Sequence, residues 1–118
     1  MKYVWTILGA LILFSMDGAA ADEAQLQRGR EVYMYWCWNC HGEGVGKPGT
    51  QALAAKYKDS KPAILDQRTD LRPPVTKTFV RKGVSIMPYF RKTEVTDAQL
   101  DDLAAYLARN AGKADTAK

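Results

Sequence analysis

Apolar and small residues recur with a helical period in two stretches of the chain. From Ala24 to about Tyr35 they are spaced by three and four residues, which places them on one face of a helix. A second helix is predicted from Val75 to Lys82, with Val75, Phe79 and Val80 on its apolar side and Gly83 at its end. Each stretch is therefore an amphipathic helix with one face suited to a core.

A third helix is predicted near the C-terminus. Thr96 and Gln99 form a capping-box pattern at its start. An apolar stripe suited to core packing follows, made of Leu100, Leu103, Ala104 and Leu107. We expect the tail from Ala111 to Lys118 to be frayed.

The segments between these helices carry turn residues. Four glycines and Pro48 between Gly42 and Gly49 predict a wrapping loop without regular structure. A short helix is predicted at residues 51–57. An extended connection is predicted at residues 62–74, and a loop at residues 85–90. The sequence thus predicts an all-α domain of about four helices.

The N-terminus has the layout of a secretory signal peptide. Lys2 precedes an apolar run from Val4 to Phe14, and small residues ending at Ala21 follow. The run is shorter than the roughly 20 residues that a membrane-spanning helix needs, although an uncleaved anchor is the alternative. We expect cleavage after Ala21, which leaves residues 22–118 as one domain in the periplasm, with no stable membrane insertion.

The distribution of charge argues against one class of function, and the size of the domain indicates that its core needs support. The formal net charge is +4, but the basic residues are scattered and form no cluster with aromatic residues, which argues against nucleic-acid binding. A domain of about 97 residues buries proportionately little surface, so a disulfide, a metal or a cofactor is expected to supplement its core.

The chemistry is concentrated in Cys37-Trp38-Asn39-Cys40-His41, which contains the only two cysteines and the only histidine of the chain. This is the attachment pattern of c-type haem, in which each thiol adds to a vinyl group and the histidine ligates the iron. It predicts one covalently bound haem c.

Other interpretations of the cysteine pair are less favoured. A thiol-disulfide oxidoreductase using Cys37 and Cys40 needs a βαβ context, whereas helices and a glycine-rich loop flank this pair. A structural zinc site needs four Cys or His ligands, and the chain offers three. A chance occurrence does not explain why all three residues fall within five positions.

The axial iron ligands follow from elimination. With a single histidine, the proximal ligand is His41, and bis-histidine ligation is excluded. Met1 and Met16 leave with the signal peptide, and Met34 lies one helical turn before the cysteines, so Met87 is the expected sixth ligand. Ligation by His and Met fills both axial positions, which favours an electron carrier over an enzyme.

From Gly29 to Leu107 the chain resembles the class I cytochromes c. The resemblance is carried by the haem motif, by Gly29 and Tyr33 before it, and by a C-terminal helix containing Tyr106. It implies the cytochrome c fold, in which Gly29 permits a close helix crossing and Tyr33 packs near Tyr106. It also implies that the carbonyl of Pro48 accepts a hydrogen bond from the second ring nitrogen of the histidine.

The segment from Val80 to Phe90 is similar to the ligand loop of bacterial cytochromes, including the cytochrome subunit of p-cresol methylhydroxylase-type flavocytochromes. This similarity implies a subunit that accepts electrons from a flavin-dependent dehydrogenase. Aromatic side chains expected near the haem edge, Trp38, Tyr89 and Phe90, favour a lasting interface. The alternative is a free periplasmic shuttle whose partner is a terminal oxidase or another cytochrome.

Basic residues are the remaining candidates for a role. Arg68 and Arg72 are candidate partners of the haem propionates, with solvated surface positions as the alternative. A second set surrounds the ligand loop and is a candidate for steering an acidic partner, with a merely solvated face as the alternative. This set consists of Lys77, Arg81, Lys82, Arg91 and Lys92.

Overall fold

The computed structural model describes residues 21–113, and these form an all-α domain, as predicted. The helices are α1 (Glu23–Val32), α2 (Trp38–His41), α3 (Pro48–Tyr57), α4 (Pro73–Lys82) and α5 (Asp97–Ala108). A π-helical turn, Tyr33–Cys37, joins α1 to the single turn of α2, and a 3-10 turn, Leu65–Gln67, precedes α4. Within residues 21–113 there is no strand, only an isolated bridge between Val84 and Met87.

The crossing of α1 and α5 organises the domain. A Cβ atom at Gly29 would collide with the carbonyl oxygen of Asp102 and lie 2.6 Å from Cβ of Tyr106, so only glycine allows this approach. The rings of Tyr33 and Tyr106 pack 5.7 Å apart, and Arg28 forms an ion pair with Asp102 at 2.8 Å. The close crossing and the tyrosine contact implied by the resemblance are both present.

The ends of α1 and α5 are capped by side chains. The Asp22 carboxylate accepts a hydrogen bond from the Gln25 amide at 2.6 Å. At α5, Thr96 Oγ1 accepts from the Gln99 amide at 3.2 Å, and the Gln99 side chain accepts from the Thr96 amide at 3.0 Å. The predicted capping box is therefore confirmed.

The core is built mainly by α5, and its predicted stripe is buried in full. Of the apolar side predicted for α4, only Val80 is buried. Thr76 and Val80 are buried, whereas Val75 and Phe79 are exposed. The two pairs form adjacent rows with a spacing of four residues, and only the first row faces the core. The core cluster consists of Val32, Tyr33, Leu71, Val80, Val95, Leu100, Leu103, Tyr106 and Leu107.

Two helices begin earlier than the sequence predicted. The glycine-rich loop ends at Lys47, and α3 starts at Pro48, so Pro48 and Gly49 belong to a helix. The last two residues of the predicted connection 62–74 likewise belong to α4, which begins at Pro73. Proline suits a first helical turn because its fixed φ is helical and its missing N–H has no partner there.

Two predictions concern chain ends that lie largely outside the described residues. The predicted signal peptide lies outside the described residues except for Ala21, and so do residues 114–118 of the expected frayed tail. Among residues 21–113, no helix is long and apolar enough to cross a membrane.

Candidate cofactor-binding site

The two cysteines lie where the first helical run changes its winding. The backbone N–H of Trp38 donates to the carbonyl of Tyr33, five residues earlier, which is the π-helical pattern. This wider turn places Cys37 at its end, and Cys40 and His41 follow in α2. The predicted attachment residues are thus brought together at the end of one helical run. π-Helical turns are frequent at functional sites.

Both thiols are free. Cys37 is half-buried and Cys40 is exposed. Burial, and to a smaller extent the nearby Cys40, raises the pKa of the Cys37 thiol to about 12. A redox-active cysteine pair works through a thiolate with a lowered pKa. The environment of Cys37 therefore argues against the thiol-disulfide interpretation and fits a thiol that packs against an apolar group.

His41 is half-buried beside the start of α3. A Cβ atom at Gly49 would lie 2.6 Å from Cε1 and 2.7 Å from Nδ1 of His41, so the glycine lets the α3 backbone pack on the ring. Burial lowers the pKa of His41, which favours the neutral imidazole that ligates metals. Nδ1 is buried and makes no hydrogen bond within the described residues.

The hydrogen bond expected between Pro48 and His41 is therefore not made in this structure. Pro48 is the first residue of α3, where carbonyl groups point along the helix axis toward its C-terminus. The backbone at Gly49 packs against the imidazole. The sequence analysis missed Gly49, although a glycine inside the first turn of a helix is a sign of close approach.

The backbone after His41 is held by side chains from two helical segments. The Tyr33 hydroxyl donates to the His41 carbonyl at 3.1 Å, and Thr50 Oγ1 donates to the Gly42 carbonyl at 2.8 Å. Burial raises the pKa of Tyr33, so its hydroxyl remains a donor. These contacts satisfy carbonyl groups at the end of α2 that the helix leaves unpaired.

Met87 lies in a tight two-residue hairpin after α4. The amide of Val84 donates to the carbonyl of Met87 at 3.1 Å, and the amide of Met87 donates back at 2.9 Å. Ser85 has a φ of 54°, and Gly83 has a φ of 66° where a Cβ atom would lie 2.7 Å from the Met87 oxygen. The main chain of Met87 is therefore fixed through both of its polar groups.

The loop beyond Met87 is tied to α4 and α5. The Phe90 amide donates to the Val80 carbonyl at 2.8 Å. The Arg81 guanidinium donates to the Phe90 carbonyl at 3.1 Å and to the Asp97 carboxylate at 2.7 Å. Arg81 thus connects the loop to the start of α5.

Large apolar side chains around this loop are exposed. They belong to Val75, Phe79, Val84, Ile86 and Tyr89. Exposed apolar surface of this kind marks a binding site. Together with the adjacent cysteine pair and His41, this surface fits a large apolar group such as haem. Within residues 21–113 no group of three or more His, Cys, Asp or Glu side chains could hold a metal ion, so a zinc site is not supported.

The two candidate propionate partners lie in different environments. Arg68 is buried, pairs with Asp70 through contacts of 2.6 and 2.8 Å, and stacks over Tyr57 at 4.7 Å. The Arg68 guanidinium thus already has partners within the protein. Its hydrogen bond to Asp70 is the main reason why the pKa of that carboxyl is lowered. Arg72 is exposed at the start of α4.

Most basic residues around the ligand loop have carboxylate partners. Lys77 pairs with Asp101 at 2.5 Å, and Arg91 pairs with Glu94 at 3.2 Å. The Asp97 carboxylate forms ion pairs with Arg81 at 2.7 Å and with Lys92 at 2.9 Å. Acidic residues from outside the loop therefore partly compensate the positive charge of this surface, and the steering of an acidic partner stays a prediction.

Of the three aromatic residues expected at an exposed edge, Phe90 is more enclosed than predicted. Phe90 packs against the core and lies 5.7 Å from the ring of Trp36. The indole of Trp38 packs on Gly42, where a Cβ atom would lie 2.5 Å from Nε1. Tyr89 is 62% exposed and Trp38 is 36% exposed, as expected for both.

The comparisons with known proteins identify one family. A family model described as cytochrome c oxidase, cbb3-type, subunit III matches residues 24–107. The match spans α1 to α5 and includes the cysteine pair, His41 and Met87. No curated protein and no solved structure matches the chain.

Proposed function

Since this chain belongs to the cytochrome c oxidase, cbb3-type, subunit III family and is thus a class I c-type cytochrome, we propose that Cys37 and Cys40 hold its haem c. His41 and Met87 are the axial iron ligands in this proposal. The protein is an electron carrier and not an enzyme. When bound, the haem supplies one-electron chemistry between ferrous and ferric iron.

The observation that carries the ligand assignment is the environment of His41. Burial lowers the pKa of its imidazole, which favours the neutral form that ligates metals, and Gly49 packs on one side of the ring. The adjacent α2 turn presents both free thiols. Tyr33 and Thr50 hold the backbone that follows, so these residues orient the ligand instead of leaving it on a mobile loop.

Met87 supports the second assignment through its fixed main chain. Paired amide and carbonyl groups hold the hairpin, and Arg81 ties the following residues to α5. These contacts give the main chain that carries the thioether a defined position. Occupation of both axial positions leaves no open site for oxygen or peroxide, which matches a carrier.

The experiment compares Met87→Ala with Met34→Ala in the exported protein. Met34 is an exposed methionine in the π-helical turn and serves as the matched control. We expect Met87→Ala to keep its haem but to lower the reduction potential and to open the sixth position to added cyanide. Met34→Ala should keep the parent potential. An unchanged potential in Met87→Ala would refute its role, and His41→Ala should abolish stable ligation.

A periplasmic location after cleavage behind Ala21 is part of the proposal, and so is a flavin-dependent dehydrogenase as the electron donor. The donor rests on the sequence of the ligand loop and on the exposed side chains of Ile86 and Tyr89, and the comparisons lend it no support. The family description names a subunit of a terminal oxidase, which favours a terminal oxidase as the partner. The second candidate is a free shuttle to a terminal oxidase or another cytochrome.

Gel filtration of a periplasmic extract from the native host separates these two candidates. Absorption spectra are recorded across each peak before and after dithionite. Haem and flavin together in one larger peak would support the dehydrogenase subunit. Haem in a small peak alone would support the free shuttle.

A further inference from the structure

Lys47 is the most unusual basic residue outside the ligand set. It precedes α3 and is only 8% exposed, and lysine is rarely buried without a partner. The other buried cation, Arg68, is paired with Asp70. Within residues 21–113, the Lys47 ammonium forms no ion pair and no hydrogen bond. Its charge is therefore not neutralised by a neighbouring carboxylate.

The ammonium of Lys47 instead rests on an aromatic ring. Its Nζ atom lies 3.2 Å from the centroid of the Trp38 ring, a cation–π contact. One edge of the indole packs against Gly42, where a Cβ atom would lie 2.5 Å from Nε1, and 36% of Trp38 is exposed. The charge is thus held at one place, unlike the charge of an exposed lysine.

That place is next to the attachment motif. Trp38 follows Cys37 directly and lies between the two cysteines, and Lys47 lies two residues before Gly49, which packs on His41. Ferric haem carries one more positive charge than ferrous haem. A fixed cation nearby disfavours the ferric form, and partial burial reduces the solvent screening of this effect.

We propose that Lys47 tunes the reduction potential: its ammonium, held on Trp38 beside the cysteine pair, favours the reduced protein. This inference rests on the proposed function, because it requires haem at Cys37 and Cys40. Lys47 acts through its charge and does not ligate the iron. The contact with Trp38 is what keeps the charge close enough to matter.

The test measures midpoint potentials of the purified holoprotein by spectroelectrochemistry. Lys47→Gln and Lys47→Met both remove the charge, and Lys47→Met keeps an unbranched apolar stem on the Trp38 ring. We expect each to lower the equilibrium constant for reduction roughly three- to tenfold, or about 30 to 60 mV at about 59 mV per tenfold for one electron. Lys47→Arg should restore most of the parent value, because it keeps the cation.

Lys56→Gln is the matched control, since Lys56 is an exposed lysine in the last turn of α3, the helix that Lys47 precedes. It should change the potential by less than half as much, because solvent screens its charge. Equal potentials in the parent protein and both neutral variants would overturn the inference, and so would an equal shift in Lys56→Gln. If Lys47→Arg lowers the potential as far as the neutral variants do, the shift comes from altered packing and not from the lost charge, which would also overturn the inference. If the parent protein carries no haem, the proposed function fails instead.

Discussion

Replacing Gly29 by alanine tests the helix crossing on which the fold depends. The added Cβ atom would collide with the Asp102 carbonyl oxygen and lie 2.6 Å from Cβ of Tyr106. One of these atoms belongs to the backbone, so no side-chain rotation relieves the contact. Helices α1 and α5 must therefore move apart, which loosens the packing of Tyr33 and Tyr106.

The size of the effect follows from two opposing contributions. Overpacking of a core usually costs about 1 to 3 kcal/mol, and a clash with an immovable backbone atom lies at or above the upper end. Alanine would otherwise favour the helix by about 1 kcal/mol relative to glycine. We expect a net loss of about 2 to 4 kcal/mol, a large part of the roughly 5 to 15 kcal/mol that stabilises a typical domain.

Denaturant unfolding of the purified protein, followed by circular dichroism, measures this loss. Arg30→Ala is the matched control, because Arg30 is an exposed neighbour on the same helix. Its free energy of unfolding should change by about 0.5 kcal/mol or less. A Gly29→Ala protein as stable as its parent would show that the two helices do not cross as closely as described.

Two further predictions concern buried polar contacts. Tyr33→Phe removes the hydroxyl that donates to the His41 carbonyl and should cost about 1 to 3 kcal/mol in unfolding free energy, measured by urea titration; no loss would mean that water replaces the hydroxyl. Asp70→Asn leaves the buried Arg68 without its carboxylate. The folded-state pKa of Asp70 is lowered, so its stabilising effect is present above about pH 4 and is lost as the pH falls. Urea titrations should show that the variant is less stable than its parent at pH 7 and that this difference in unfolding free energy shrinks toward pH 3. A difference that does not change with pH would contradict the link between the pKa of Asp70 and stability.

The sequence predicted those features that depend on a few residues of special chemistry. A single histidine and two cysteines within five positions left one attachment motif, and counting methionines left Met87. The capping box at Thr96 and the stripe of α5 were also predictable, because both are local patterns of one helix. The close approach at Gly29 came from the family resemblance and not from periodicity.

Other features depend on contacts between distant segments and were not predictable. Periodicity shows that α4 has two neighbouring rows, but not that Thr76 and Val80 face the core while Val75 and Phe79 do not. The same limit applies to the ion pairs of the basic residues, whose partners lie on other segments. The burial of Lys47 requires the loop to fold back on Trp38, and no local pattern marks it.

Mass spectrometry of the exported protein tests the central claim most directly. The intact mass, the count of thiols that react with an alkylating reagent, and the peptide that carries any added group are determined in one experiment. We expect one haem on the peptide that contains Cys37 and Cys40, with no reactive thiol. An unmodified chain with two reactive thiols would contradict it.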